Sequence, residues 1–102
     1  MNYYIYILFS ESSQIFYIGY TSNFEKRVFE HNNDEHNTFT SKHRPWHLKA
    51  LFSVGSDKST ALKIERYLKK QKSKSLILKL IDLNFIPTAK LAQLVRVPHV
   101  RD

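Results

Sequence analysis

Two runs of β-branched and aromatic residues lie near the start of the chain, Tyr3-Tyr4-Ile5-Tyr6-Ile7-Leu8-Phe9 and Ile15-Phe16-Tyr17-Ile18-Gly19-Tyr20-Thr21, with only Ser10-Glu11-Ser12-Ser13-Gln14 between them. Such residues favour extended backbone, and a short polar break of this kind is what a hairpin loop needs. The first run has almost no polar position and reads as a buried strand. Gly19 inside the second suggests a bulge or the close approach of another group to the backbone.

Helical spacing then takes over. Ser22 or Asn23 can cap a helix reaching about Asn32, in which Phe24, Arg27, Val28 and His31 share one side. Residues 32–44 read as a polar loop, and Pro45 bars a helix there. Leu48 to Val54 reads as a third strand and Gly55-Ser56-Asp57 as a turn. Asp57 or Ser59 can cap a long helix from Lys58 to Gln71, and Ser73 or Ser75 can begin another reaching about Leu83. The order β-β-α-β-α-α predicts a small α+β domain, a three-stranded antiparallel sheet flanked by helices, over residues 1–83. Residues 84–102 hold Leu91, Leu94, Val95, Val97 and Val100 with no clear period, and are expected to form a tail that the fold does not need.

A chain of 102 residues supports one domain with one core. With no cysteine there is no disulfide framework and no thiolate metal site. Met1 is followed by Asn2 and tyrosines rather than by a basic stretch and a long apolar run. No apolar segment is long enough to span a bilayer. A cytoplasmic protein with no membrane partner is the expectation.

The formal net charge is +7, and its placement says more than its size. Acidic and basic groups balance over residues 1–62, so the excess is C-terminal. Most of it falls on Lys63, Arg66, Lys69, Lys70, Lys72, Lys74 and Lys79. A localised basic stripe is the footprint of a phosphate-backbone binder, although a solvated helix face has the same composition.

Arg27 and His31 lie one helical turn apart. An arginine fork matches phosphoryl oxygens, and a histidine can relay a proton. An exposed arginine with a histidine near a helix C-terminus would show the same spacing. Glu65 is the one carboxylate in the basic helix, and Ala61, Leu62 and Leu68 at i−4, i−3 and i+3 put it at the edge of the apolar face. There it can hold a divalent cation beside a phosphate, or pair with Lys69 or Arg66. Tyr6 and Tyr17 are on adjacent strands, where their hydroxyls can converge or simply pack. His43 and His47 are spaced i, i+4, but Pro45 breaks the helix that zinc ligation would need, which leaves them as phosphate contacts or surface. Lys42, His43 and Arg44 of the loop, and Lys63, Lys69, Lys70 and Lys72 of the basic stretch, are the expected nucleic-acid contacts.

Taken together, these segments resemble the GIY-YIG nuclease superfamily, in particular its small stand-alone bacterial branch, from Tyr3 to about Ile81. Tyr4-Ile5-Tyr6 matches the first motif, with Tyr4 in the glycine position of the family name, and Tyr17-Ile18-Gly19 matches the second. Thr21 to His31, Ser41 to Leu48 with Arg44-Pro45-Trp46, and Ala61 to Lys70 resemble three further segments in the expected order.

The resemblance implies a metal-dependent endonuclease acting on DNA, with structure-specific cutting in repair or recombination as the setting. It implies one Mg²⁺ (or Mn²⁺) on Glu65, Tyr6 or His31 as proton acceptor, Arg27 as charge stabiliser and Tyr17 as positioner. Gly19 would give access to the site, and Asn84 stands by position where the family carries an asparagine. A single domain offers little surface for sequence readout, so a protein partner supplying specificity fits the picture. Two other readings remain open: a nucleic-acid-binding module that cuts poorly, and a scaffold whose basic helix docks an acidic protein.

Overall fold

The computed structural model describes residues 2–33 and 40–97. Strand β1 (Tyr4–Ser10) turns through residues 11–14 into β2 (Ile15–Thr21), pairing antiparallel with Tyr6 opposite Gly19. Gln14 takes a left-handed φ of 56°, and its N–H donates to the Ser10 carbonyl at 2.7 Å, which closes the hairpin. Helix α1 (Phe24–Asn33) follows, with the Asn23 side chain accepting from Lys26 N–H at 3.1 Å. A 3₁₀ turn (Thr40–His43) and a cis Arg44–Pro45 peptide bond lead into β3 (Trp46–Ser53). This strand starts two residues earlier than the hydrophobic pattern indicated.

Helix α2 spans Lys58–Gln71, as its spacing predicts. The Asp57 carboxylate caps it, accepting from the hydroxyl and N–H of Ser59 and from the Thr60 hydroxyl, and these bonds hold its pKa below the usual carboxylate value. Ser73 caps α3 (Lys74–Ile81) by accepting from Leu76 N–H.

Among the described residues the sheet has four strands in the order β2-β1-β3-β4, which corrects the expected three. The fourth, β4 (Val95–Arg96), pairs antiparallel with Phe52 and Ser53 of β3. A two-residue strand has no period to read, so its pairing shows only once the neighbouring edge is known.

The central strand β1 is buried on both faces, which explains its nearly unbroken apolar run. Ile5 and Ile7 join Ile18, Phe52, Ala61, Ile64, Leu68 and Leu80 under α2 and α3. Tyr6 and Leu8 alternate to the other face and join Trp46, Leu48 and Leu51, with Phe24 and Val28 of α1 packed against them. Each fully buried side chain of this size stabilises the fold by about 1.5–3 kcal/mol.

Part of the segment set apart as a tail lies inside this packing. Leu91 and Leu94 are buried in the α2/α3 core, and Phe85 packs against it. Val97 N–H donates to the Leu51 carbonyl at 2.9 Å, and Arg96 donates to the Asp82 carbonyl at 2.9 Å while its guanidinium lies over the Phe52 ring. Pro98 to Asp102 fall outside the described residues.

Candidate active site

One open cleft of about 380 Å³ gathers most of the residues that carry chemistry. Tyr6 reaches it from β1, Tyr17 and Gly19 from β2, Arg27 from α1 and Glu65 from α2, with Tyr3, Tyr20, Thr21, Ser22 and Lys58 completing the wall. The hairpin register makes the arrangement possible. Tyr6 faces Gly19 across the ladder, and a Cβ at residue 19 would collide with the Tyr6 hydroxyl and ring. Glycine here is a matter of space: the bare backbone lets the phenol lie over the strand.

Behind the cleft, the Tyr6 hydroxyl and His31 Nε2 are 2.8 Å apart. His31 is buried at 3% exposure and does not line the cleft, so it meets the site through Tyr6. Burial first, then the charges of Arg27 and Arg44, push its pKa down to about 4. The imidazole is therefore neutral at physiological pH, with a lone pair available. Burial, and next the Tyr17 phenol, raise the Tyr6 pKa well above the usual phenol value, against a hydrogen bond from Arg27 that lowers it. A neutral Nε2 can accept the phenol proton or donate its own, and the 2.8 Å contact serves either tautomer.

Arg27 keeps its charge. Burial opposes it, but the Tyr6 hydrogen bond, the two phenols and Glu30 together raise its pKa above the ordinary value. Its contact with Glu30 is loose, at 3.9 Å between half-exposed side chains. Tyr17 packs edge-on to His31 with ring centroids 5.0 Å apart and tilts against Trp46 at 6.0 Å. The Trp46 indole donates to the Thr40 carbonyl at 2.8 Å.

Glu65 is 13% exposed, at the margin of the core, and its carboxylate is 3.6 Å from Lys69 Nζ. The i+4 partner is therefore present, and the same carboxylate also borders the cleft. Lys69 in turn lies 5.3 Å from the Tyr17 ring centroid. Among the described residues no three His, Cys, Asp or Glu side chains gather into a metal cluster. One carboxylate in an open polar cleft suits a hard, largely hydrated cation that completes its shell with water and phosphate oxygen. It does not suit a cage-bound zinc.

The other candidates divide. Arg44 points inward: Nε donates to the His31 carbonyl at 2.7 Å and Nη2 to the Glu30 carbonyl at 3.5 Å, tying the end of α1 to β3. His43 Nδ1 is 2.7 Å from the Ser13 hydroxyl. Lys42, Lys70 and Lys72 are exposed. Lys63 lies beside a different hollow, with Thr60, Ile64 and Tyr67, because residues two apart on a helix do not face the same way. Asn84 is exposed and does not line the cleft. Lys58 was missed, although its i, i+7 spacing to Glu65 sets both on one side of α2. Among the described residues no helix is long and apolar enough to cross a membrane.

A search of curated proteins found no match to this chain. A family model describing the GIY-YIG catalytic domain matches residues 2–77, a span that includes Tyr6, Tyr17, Gly19, Arg27, His31 and Glu65. The family is one of nucleases, which generally use divalent metal ions, and the chain belongs to it: this is a GIY-YIG superfamily protein.

Proposed function

We propose that the protein is a metal-dependent endonuclease that hydrolyses phosphodiester bonds in DNA. The observation that carries this reading is the convergence of Tyr6, Tyr17, Arg27 and Glu65, from four different elements, on one cleft beneath Gly19. Glu65 is the side chain that would hold one Mg²⁺ or Mn²⁺. Bound there, such an ion supplies Lewis-acid polarisation of the phosphate.

The chain's own groups account for the rest. The Arg27 fork offsets charge growing on the phosphate oxygens. A water aligned in the cleft attacks phosphorus and loses its proton to the Tyr6 oxygen, while the phenol's own proton passes to His31 Nε2; the P–O bond opposite the water breaks, and the leaving oxygen takes a proton from solvent. The 2.8 Å contact provides that second transfer, so Tyr6 faces the reactants and His31 serves behind it. Tyr17, held between His31 and Trp46, positions the water or a phosphate oxygen.

The small surface favours selection by DNA structure over sequence, in keeping with a part in repair or recombination, with a protein partner adding specificity. The Lys69–Glu65 pair supports the second reading, a nucleic-acid-binding module that cuts little, since it occupies the carboxylate a metal would need.

The test is cleavage of a panel of labelled DNAs in Mg²⁺ and in Mn²⁺, with Glu65→Ala beside wild type. Cutting by wild type alone supports the nuclease. Salt-sensitive binding without cutting on any substrate favours the binding module.

A further inference from the structure

Another hollow, of about 210 Å³, adjoins the cleft at the edge of β2, where α2 passes into α3. Phe16, Leu68 and Ile77 give it apolar walls, and Lys69 and Lys72 stand at its border. Tyr17 lines both spaces, and Lys69 reaches from the hollow to Glu65 in the cleft. The two spaces therefore share a wall at Tyr17. Among the described residues no carboxylate lines the hollow. Its aromatic wall is braced, since the Phe16 ring packs on Phe9 with centroids 4.8 Å apart.

Lys72 adds a separate observation. It occupies the left-handed C-cap of α2, at φ 48° and ψ 38°, a position where glycine is the usual residue. A lysine there places a charge at the mouth of the hollow at some conformational cost.

An apolar, aromatic-walled space with cations at its border is what one nucleotide needs: a face to stack the base and charges to meet its phosphate. We infer that this hollow receives one unpaired nucleotide of the DNA strand, adjacent to the phosphate held at Glu65 and Arg27, so the preferred substrate has an unpaired nucleotide beside the scissile bond. A base inside a duplex would first have to leave its stack and its partner, which costs a few kcal/mol, whereas an unpaired base enters freely. The inference rests on the nuclease reading for the position of the scissile phosphate, but its test needs no cutting.

Affinity is measured in the absence of divalent metal for a fully paired duplex and for the same duplex carrying a short single-stranded flap, over a range of salt. Wild type is expected to favour the flap by about tenfold, within the range that one stacked base contributes. Phe16→Leu, which keeps the wall apolar, is expected to lower that preference to about threefold or less. Lys72→Gly suits the left-handed backbone, so the fold is kept. It should weaken binding to the flap and lower the salt slope by about one. Equal affinity for the two DNAs overturns the inference, and so does a preference that survives both substitutions. A preference that persists in a protein unable to cut any DNA in Mg²⁺ overturns the nuclease reading alone. Absence of binding to either DNA overturns both.

Discussion

The Tyr6 hydroxyl and His31 Nε2, 25 residues apart in sequence, meet at 2.8 Å behind the floor of the cleft. One is the group that faces the reactants, and the other is a neutral base that solvent does not reach. Removing the hydroxyl breaks the relay and leaves the surrounding apolar packing nearly intact. Tyr6→Phe should therefore lower single-turnover cleavage by about a hundredfold or more. It leaves Nε2 without its partner, which costs about 1–3 kcal/mol in stability. Cleavage at wild-type rate would remove Tyr6 from the proton path.

Buried His31 also makes stability depend on pH. Its pKa is about 4 in the folded protein and near 6.5 in the unfolded chain. Between those values the unfolded chain binds more protons, so this contribution is complete above 6.5 and is lost as pH falls toward 4. From pH 7.5 to 5.0 the loss is about 2 kcal/mol. Urea unfolding at the two pH values should show a larger fall for wild type than for His31→Gln, because other groups titrate alike in both. Equal falls would show that His31 does not titrate as its burial requires.

Gly19→Ala drives a methyl into the Tyr6 ring and hydroxyl. Overpacking of this kind costs about 1–3 kcal/mol. The ring must move, so cleavage should be lost while DNA binding remains, since Gly19 carries no charge for phosphate. Gel-shift and cleavage assays on one preparation check both. An active Gly19→Ala enzyme would show that the Tyr6 position over the strand does not matter.

Much of the fold is legible in the residues themselves. Helix α2 runs from Lys58 to Gln71 as its spacing and the Asp57 cap indicate, and the hairpin follows from its two aromatic runs. The grouping of Arg27, Glu65 and the two tyrosines is legible only through the order of the segments. Burial of His31 is not legible at all: its spacing to Arg27 is the same for an exposed pair. Tyr6 and Tyr17 on the hairpin, and Arg44 beyond the loop, are what enclose it. Arg44 illustrates the same limit, since a basic residue reads as a phosphate contact until its carbonyl partners are known.

The C-terminal segment is a further case. Leu91 and Leu94 are buried, and two such side chains contribute about 3–6 kcal/mol against a typical total of about 5–15 kcal/mol. β4 also covers the edge of β3. A chain ending at Ile86 should unfold at markedly lower urea concentration or fail to unfold cooperatively. An unchanged midpoint would show that the segment is dispensable.

The most direct measurement is single-turnover cleavage of one labelled DNA in Mg²⁺ by wild type and by Glu65→Ala, with DNA affinity measured in parallel. The expected result is cleavage by wild type, a loss of at least about a thousandfold in the variant, and affinity within about threefold of wild type, because Glu65 acts on the reaction and not on the grip of the lysines. A Glu65→Ala protein that cuts as fast as wild type would contradict the assignment of the metal-dependent chemistry to this cleft.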